Sequence, residues 1–461
     1  MRVNLHKTIR KIRSHLFGGF SISQEFAGKS AANVAVRIAV TGLTFVLAIL
    51  FARLMGPEGY GIYAYAIAVV ALLAVLTRLG LPTLVVREVA RYQAKSRWGL
   101  MRGLLLRALQ LVLVISAFSM ALVAGFLALF SDSIAAVQRE TLLWALVLIP
   151  SIALGACGGA ALRGLGHVIQ GQIAEQLARP GLLILMLACA LVIAGPEWVT
   201  PTTGMALHAF SGVAAIVLGG FFLLRTVPAQ LGRTPSSFDD EIRWKSSLIP
   251  LSLLAGLQII TSQTDILMLG LFVAAEDIGI YRVGWQGASV VNLVLFAIGL
   301  TIEPTIARLH SLGERRRLQE LVKTSGRMAF VVSLLMSAVL ILFGRQLLAL
   351  VFGASYVTSY LPMAILCAGQ VALAFSGWAV LVLNMTGNER TTARFTAYAA
   401  VANVAANGVL IPIFGLIGAA IATASTLFLW KLALANAARQ VAGVPTTVVL
   451  LRDVHQTGDR A

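Results

Sequence analysis

The side chains best placed to do chemistry in this sequence are ionisable residues set inside long apolar runs. Arg37 and Arg78 interrupt the first two runs and Asp265 the seventh, while Glu303 stands near the end of the eighth, whose start is marked by Arg282. A charge within a bilayer costs about 2.5–3.5 kcal/mol on insertion scales, so such residues ordinarily face a polar cavity and mark a substrate or ion pathway. A guanidinium there suits an anion, and a carboxylate suits a cation or a mobile proton. The competing reading of Arg37 and Arg78 is snorkelling to a nearby interface. For Asp265 it is a structural salt bridge or an inter-helix hydrogen bond, and for Glu303 an interfacial position. Gln258, Thr261, Ser262, Gln263 and Thr264 give Asp265 unusually polar surroundings for a spanning helix. Gln258, Ser262 and Gln263 are candidates to line a cavity, although such residues also hold membrane helices together.

Enzymatic patterns fail on spacing. Gly155 and Gly159 form a G-x-x-x-G pair on an apolar run, which is a packing motif and not a nucleotide loop. No Walker motif occurs. The acidic run Asp239-Asp240-Glu241 has no histidine near it and reads as solvated linker. His208 stands alone on an apolar run and reads as a satisfied buried or interfacial histidine. Cys157, Cys189 and Cys367 lack C-x-x-C spacing, which leaves no disulfide framework or zinc site. The expectation is a chain that is not an enzyme, with no metal and no cofactor.

The elements that carry these residues follow from composition. Of 461 residues 58% are hydrophobic and 12% charged, about half the ~25% charge of a soluble protein, and the mean hydropathy is +0.87. The apolar residues fall in blocks of about 20, the length of a helix crossing ~30 Å of hydrocarbon. Ten-residue alternating strands, the mark of an outer-membrane barrel, do not occur. Twelve segments are expected between residues 33 and 434, the fifth at 180–195, the seventh at 248–271 and the twelfth at 415–434. The predicted class is an all-α polytopic membrane protein.

Orientation follows from the basic residues. With the N-terminus placed in the cytoplasm, four of the 36 Lys and Arg (Arg53, Arg139, Arg282, Arg345) fall on the outer side and two (Arg37, Arg78) inside helices. The other thirty are cytoplasmic, including Arg163 and Arg179 in one connection and Lys431 in the C-terminal tail. That asymmetry predicts cytoplasmic termini, and it accounts for the net charge of +17 without a nucleic-acid partner. No apolar run occurs in the first 30 residues, so a cleavable signal peptide is not expected. Leu5, Ile9, Ile12 and Leu16 recur there at helical spacing among basic residues, which suits either a helix on an anionic leaflet or a disordered basic tail.

The halves echo each other. Glu58-Gly59-Tyr60-Gly61-Ile62-Tyr63 and Glu276-Asp277-Ile278-Gly279-Ile280-Tyr281 both read E-x-x-G-I-Y, each just after an odd-numbered span. Gly164-Leu165-Gly166-His167 and Met385-Thr386-Gly387-Asn388 form a second pair, after the fourth and tenth spans. Six spans per half predict parallel repeats about an axis along the membrane normal. The expected divisions are a basic segment 1–30, a six-helix lobe 31–230, a linker 231–247, a second lobe 248–437 and a tail 438–461.

Together these residues resemble a family. The stretch from Phe51 to Tyr63 is similar to the first outer loop of bacterial polysaccharide (O-antigen type) flippases. Asp265-Ile266-Leu267-Met268-Leu269-Gly270, followed by Gly279-Ile280-Tyr281, is similar to their seventh-helix pattern, and Phe352-Gly353-Ala354-Ser355-Tyr356 to a motif after their ninth helix. The resemblance runs over about residues 25–435. These flippases share a superfamily with the lipid II flippase and the multidrug and toxic-compound extrusion exporters. It implies two pseudo-symmetric lobes in a V around a central cavity lined by helices 1, 2, 7 and 8, in the bacterial inner membrane.

The implied cargo is an undecaprenyl-diphosphate-linked oligosaccharide, destined for lipopolysaccharide or exopolysaccharide and moved by alternating access. Arg37, Arg78 and Arg282 would bind the cargo, and Asp265 and Glu303 would carry a coupling proton or sodium ion. Membrane lipids, and polymerase and chain-length machinery, are the implied partners. A multidrug-extrusion-type cation antiporter is the alternative within transport, disfavoured by arginine on helices 1 and 2. A membrane glycan polymerase or ligase is the alternative enzyme, disfavoured by outer connections of about ten residues.

Overall fold

The computed structural model describes residues 2–78 and 80–447; the side chains of residues 2–34, and of scattered positions from 243 to 304, lie outside that description. Every regular element among the described residues is helical. In lipid each backbone group must be satisfied within the segment, and a helix does this.

The described residues form twelve rods. The first half holds α1 (2–55), α2 (57–78 and 81–94, with Gly80 left-handed between them), α3 (Trp98–Leu129), α4 (136–164), α5 (168–194) and α6 (Pro201–Thr226). The second holds α7 (Glu241–Phe272), α8 (Ala275–Ser311), α9 (Arg315–Leu342), α10 (360–385), α11 (389–414) and α12 (416–441). Eight described stretches are long and apolar enough to cross a membrane, and two of them, 35–94 and 389–441, each hold two rods. α7 and α8, with 32 and 37 residues, complete the set.

Glycines make the two tightest reversals. Gly56 joins α1 to α2 at φ 70° and Gly415 joins α11 to α12 at φ 56°, a region that side chains with a Cβ rarely enter. The Phe51 and Tyr63 rings lie 4.7 Å apart, although twelve residues of straight helix would separate them by about 18 Å. Asn403 Nδ2 likewise donates to Thr423 Oγ1 at 3.3 Å, across twenty residues. Successive rods therefore alternate in direction. The Arg-rich connections gather at one end of the bundle, here called the basic end, and the short connections at the far end.

Each half packs as a bundle, α4 against α2 and α6 in one lobe, α8 against α9 and α10 and α11–α12 against α7 in the other. Many large side chains point away from the interior, with Val114 67% and Phe118 68% exposed midway along α3, the faces a lipid environment would cover. The interior uses small residues that let backbones approach. The sharpest case joins the two echoes. A Cβ on Gly61 would stand 1.7 Å from the Ala275 carbonyl oxygen, and one on Gly279 would stand 2.0 Å from that of Pro57. Equivalent glycines of the two E-x-x-G-I-Y repeats thus meet where α2 crosses α8. Nearby, Arg53 donates through Nε to the Val351 carbonyl at 2.8 Å and through Nη2 to that of Leu350. Tyr356 donates to the Ala52 carbonyl at 2.9 Å. These contacts join the lobes at the far end.

The linker differs from expectation. Asp239-Asp240-Glu241 is not a freely solvated run. Asp240 accepts from Arg91 at 2.6 Å and from Tyr92 at 2.7 Å, while Glu241 accepts from Arg107 at 2.6 Å and pairs with Lys245 at 3.0 Å. Trp244, buried among α2 and α3 side chains, donates to the Tyr92 hydroxyl at 2.8 Å. The first turn of α7 is thereby fastened to the first lobe. The basic N-terminal segment is helical in backbone from Arg2, and its side chains lie outside the described residues.

Candidate functional site

Between the lobes lies a cavity of about 1180 Å³. Arg37 on α1, Arg78 on α2, and Arg282 and Glu303 on α8 all line it. α7 contributes no described lining residue, whereas α4, α5, α6, α10 and α12 do. The described lining thus extends the expected set of helices 1, 2, 7 and 8 to five further helices; the α7 side chains at 249, 250, 253–255 and 257–261 lie outside the described residues.

Two further cations line the cavity, one expected in a connection and the other in the C-terminal tail. Arg179 and Lys431 stand on α5 and α12, in spans and not in a connection or the tail. α5 begins at Val168, twelve residues before the apolar segment expected at 180, because Gln170, Gln172, Glu175 and Gln176 make its first turns look like a loop. A π-helical turn, Ile173–Leu177, occurs in this stretch, and such turns re-aim the side chains around them. Glu175 and Gln176 line the cavity from it. At 1.5 Å per residue from the far end of each helix, Arg282 lies about 10 Å deep, Arg179 and Lys431 about 22 Å, Arg37 about 27 Å and Arg78 about 31 Å.

The charge balance is lopsided. Five basic side chains face Glu175 and Glu303, and the Glu175 carboxylate is already paired with Arg163. Among the described residues none of the five basic groups pairs with a carboxylate. Arg37 lies over the Phe296 ring at 4.4 Å and Arg282 over Trp285 at 4.7 Å, while Lys431 lies 4.9 Å from Trp430. Aromatic faces hold these cations in place without neutralising them. Towards the far end, Tyr63 shares a hydrogen bond of 2.7 Å with His208 Nδ1. The lone histidine is satisfied, and it also lines the cavity.

Asp265 lies elsewhere. It is 9% exposed and does not line the cavity. Its Oδ2 accepts from Tyr281 and Thr423, each at 2.6 Å, and its Oδ1 from Asn407 Nδ2 at 3.0 Å. Asn403 adjoins the group through Thr423 and Asn407. The result is an oxygen-rich nest within the second lobe, built from α7, α8, α11 and α12. The Asn407 Oδ1 has no partner among the described residues. Of the polar residues before Asp265, Ser262 is exposed and Gln263 half-buried, and neither lines the cavity; the Gln258 side chain lies outside the described residues.

This arrangement, twelve helices around a cationic cavity, has known relatives. A family model described as polysaccharide biosynthesis protein matches residues 27–310. The chain belongs to that family. A second model, MatE, matches residues 250–409. Among curated proteins, the probable low-salt glycan biosynthesis flippase Agl15 of Haloferax volcanii is 27% identical over 168 residues, 35% of this chain and 34% of that protein. The probable flippase AglR of the same organism is 30% identical over 167 residues, again 35% of this chain and 34% of that protein. The match thus spans about a third of either relative.

Solved structures share the fold across the whole bundle. An inward-facing multidrug resistance MATE family transporter of the MOP superfamily gives a TM-score of 0.68 at 16% identity, covering 89% of this chain and 99% of the other. The lipid II flippase MurJ in an inward closed conformation gives 0.69 at 13% identity, covering 88% and 87%. At such identities the likeness concerns the fold alone. For this member of the polysaccharide biosynthesis family, specific chemistry must be argued from its own cavity.

Proposed function

We propose that this protein is a flippase that moves a polyprenyl-diphosphate-linked oligosaccharide from the cytoplasmic to the outer leaflet by alternating access. The basic end then faces the cytoplasm of a bacterial inner membrane, with both termini inside. The observation that carries the reading is the surplus of five basic over two acidic side chains lining the cavity, with no carboxylate partner among the described residues for any of the five. A diphosphate crossing lipid needs its charge compensated throughout, and arginine forks match phosphate oxygens in pairs. Cations from about 10 to 31 Å deep offer that compensation along much of the path. Family membership and the partial likeness to two probable flippases point the same way.

Asp265 is the proposed coupling group, taking a proton or a sodium ion. Its support is the cluster of side-chain oxygens from Tyr281, Asn403, Asn407 and Thr423, since hard cations prefer oxygen ligands. Glu303 is a second candidate, at the basic end of α8. The MatE match and this nest also suit a cation-drug antiporter, but a cationic cavity repels that substrate.

Complementation of an export-deficient strain tests the reading. Arg78→Ala or Arg179→Ala removes a charge-assisted contact worth about 1.5–3 kcal/mol, a loss of roughly ten- to hundredfold in cargo affinity. Lys at either position keeps the charge without the fork and should restore part of the export. Ala variants present at normal levels that support full export would contradict the cargo role. A null strain with normal glycan but raised sensitivity to cationic drugs would favour the antiporter.

A further inference from the structure

The cavity contains a second kind of chemistry, distinct from its cations. α8 presents Arg282, Gln286, Ser289, Asn292, Phe296 and Glu303 along one face, at steps of three, four and seven. The ends of that strip are charged, and its middle is neutral and hydrogen-bonding. Asn292 lies well inside the helix and yet is exposed, because its side chain borders the cavity. Asn384, on the last turn of α10, is exposed into the same space.

No protein group among the described residues hydrogen-bonds the carboxamides of Gln286, Asn292 or Asn384. Each therefore offers both donors and an acceptor to whatever enters. That chemistry is poorly matched to a phosphate, which only accepts. It is well matched to a hydroxyl, which donates and accepts at once. Two indole rings, Trp285 and Trp378, also line the cavity beside these amides. Trp378 is fixed by donating to Ser325 Oγ at 3.0 Å, and Gly299 of α8 leaves room against its ring, where a Cβ would stand 3.3 Å from it. Flat apolar faces next to carboxamides suit a pyranose, whose ring has C–H faces and a rim of hydroxyls.

We propose that this wall of the second lobe, Gln286, Asn292 and Asn384 with Trp285 and Trp378, is the carbohydrate-recognising subsite and sets which glycan is accepted. The assignment rests on the flippase reading and deepens it: Arg78 and Arg179 on the first-lobe wall take the diphosphate, and the amide strip takes the sugars. From Gln286 to Gly299 the strip extends about 20 Å, a shape for a chain of sugars in preference to one.

Equilibrium binding to the full chain in lipid nanodiscs tests it with two probes, bare undecaprenyl diphosphate and undecaprenyl diphosphate carrying N-acetylglucosamine. Wild-type protein should bind the sugar-bearing lipid about tenfold more tightly, the worth of one or two amide hydrogen bonds. Asn292→Leu combined with Asn384→Leu should erase that preference and leave affinity for the bare lipid unchanged. Arg78→Ala should weaken both lipids equally and keep the preference. Wild-type protein that binds both lipids alike, or an Asn-to-Leu variant that keeps the preference, overturns the sugar subsite while leaving the diphosphate site standing. Wild-type protein that binds neither lipid overturns the flippase reading and the subsite with it.

Discussion

Single residues divide here into those that sequence exposed and those that only folding could place. Arg37, Arg78 and Glu303 stood out because a charge in an apolar run is costly and rare, and all three line the cavity. Arg179 and Lys431 carry the same cost, yet the sequence around them has the look of a connection and a tail. The polar start of α5 hides its length, since cavity-facing Gln and Glu lower its hydropathy as a loop would. Asp265 was conspicuous, but its partners Asn407 and Thr423 lie 142 and 158 residues away, so nothing local could show that it faces its own lobe. Asp265→Asn should leave cargo binding in place and remove the dependence of export on an imposed proton or sodium gradient. Export by the Asn variant that still responds fully to both gradients would end the coupling role.

Among the elements, the repeat was legible and its consequence was not. E-x-x-G-I-Y occurs twice because the same helix start is needed twice, and only the structure brings Gly61 and Gly279 into contact across the crossing of α2 and α8. The Cβ of Gly61→Ala would meet the Ala275 carbonyl oxygen at 1.7 Å, so the helices must separate. The expected cost is about 1–3 kcal/mol, read as a lower thermal midpoint in detergent, with a parallel effect for Gly279→Ala. A matched Gly42→Ala change, where no atom lies within 4 Å, should have little effect. If Gly61→Ala behaves like Gly42→Ala, the close approach is not a contact that matters. The acidic linker shows the reverse failure. Composition made Asp239-Asp240-Glu241 look solvated, because the basic partners Arg91 and Arg107 come from α2 and α3, well over a hundred residues earlier.

For the whole molecule, fold class and span count came from hydropathy, which a bilayer dictates almost directly. The cavity walls did not, because lining depends on which face of each helix the neighbours leave open. Orientation is a further claim at this scale. In a variant freed of native cysteines, Cys placed at Ser133, Thr202 or Ser355 should react with an impermeant thiol reagent added outside intact cells, and Cys at Lys95 or Arg316 should not. The opposite pattern would reverse the assignment of the basic end.

On the flippase reading, the cavity cations, without carboxylate partners among the described residues, carry a lipid diphosphate across the bilayer. Proteoliposomes holding the purified chain and a radiolabelled undecaprenyl-diphosphate-linked oligosaccharide test it most directly, with an impermeant glycosidase reporting lipid that changes leaflets. Wild-type protein should give rapid loss of the protected pool, and the Arg78→Ala, Arg179→Ala double variant at least a tenfold slower loss. Loss at the wild-type rate with the folded double variant would contradict it.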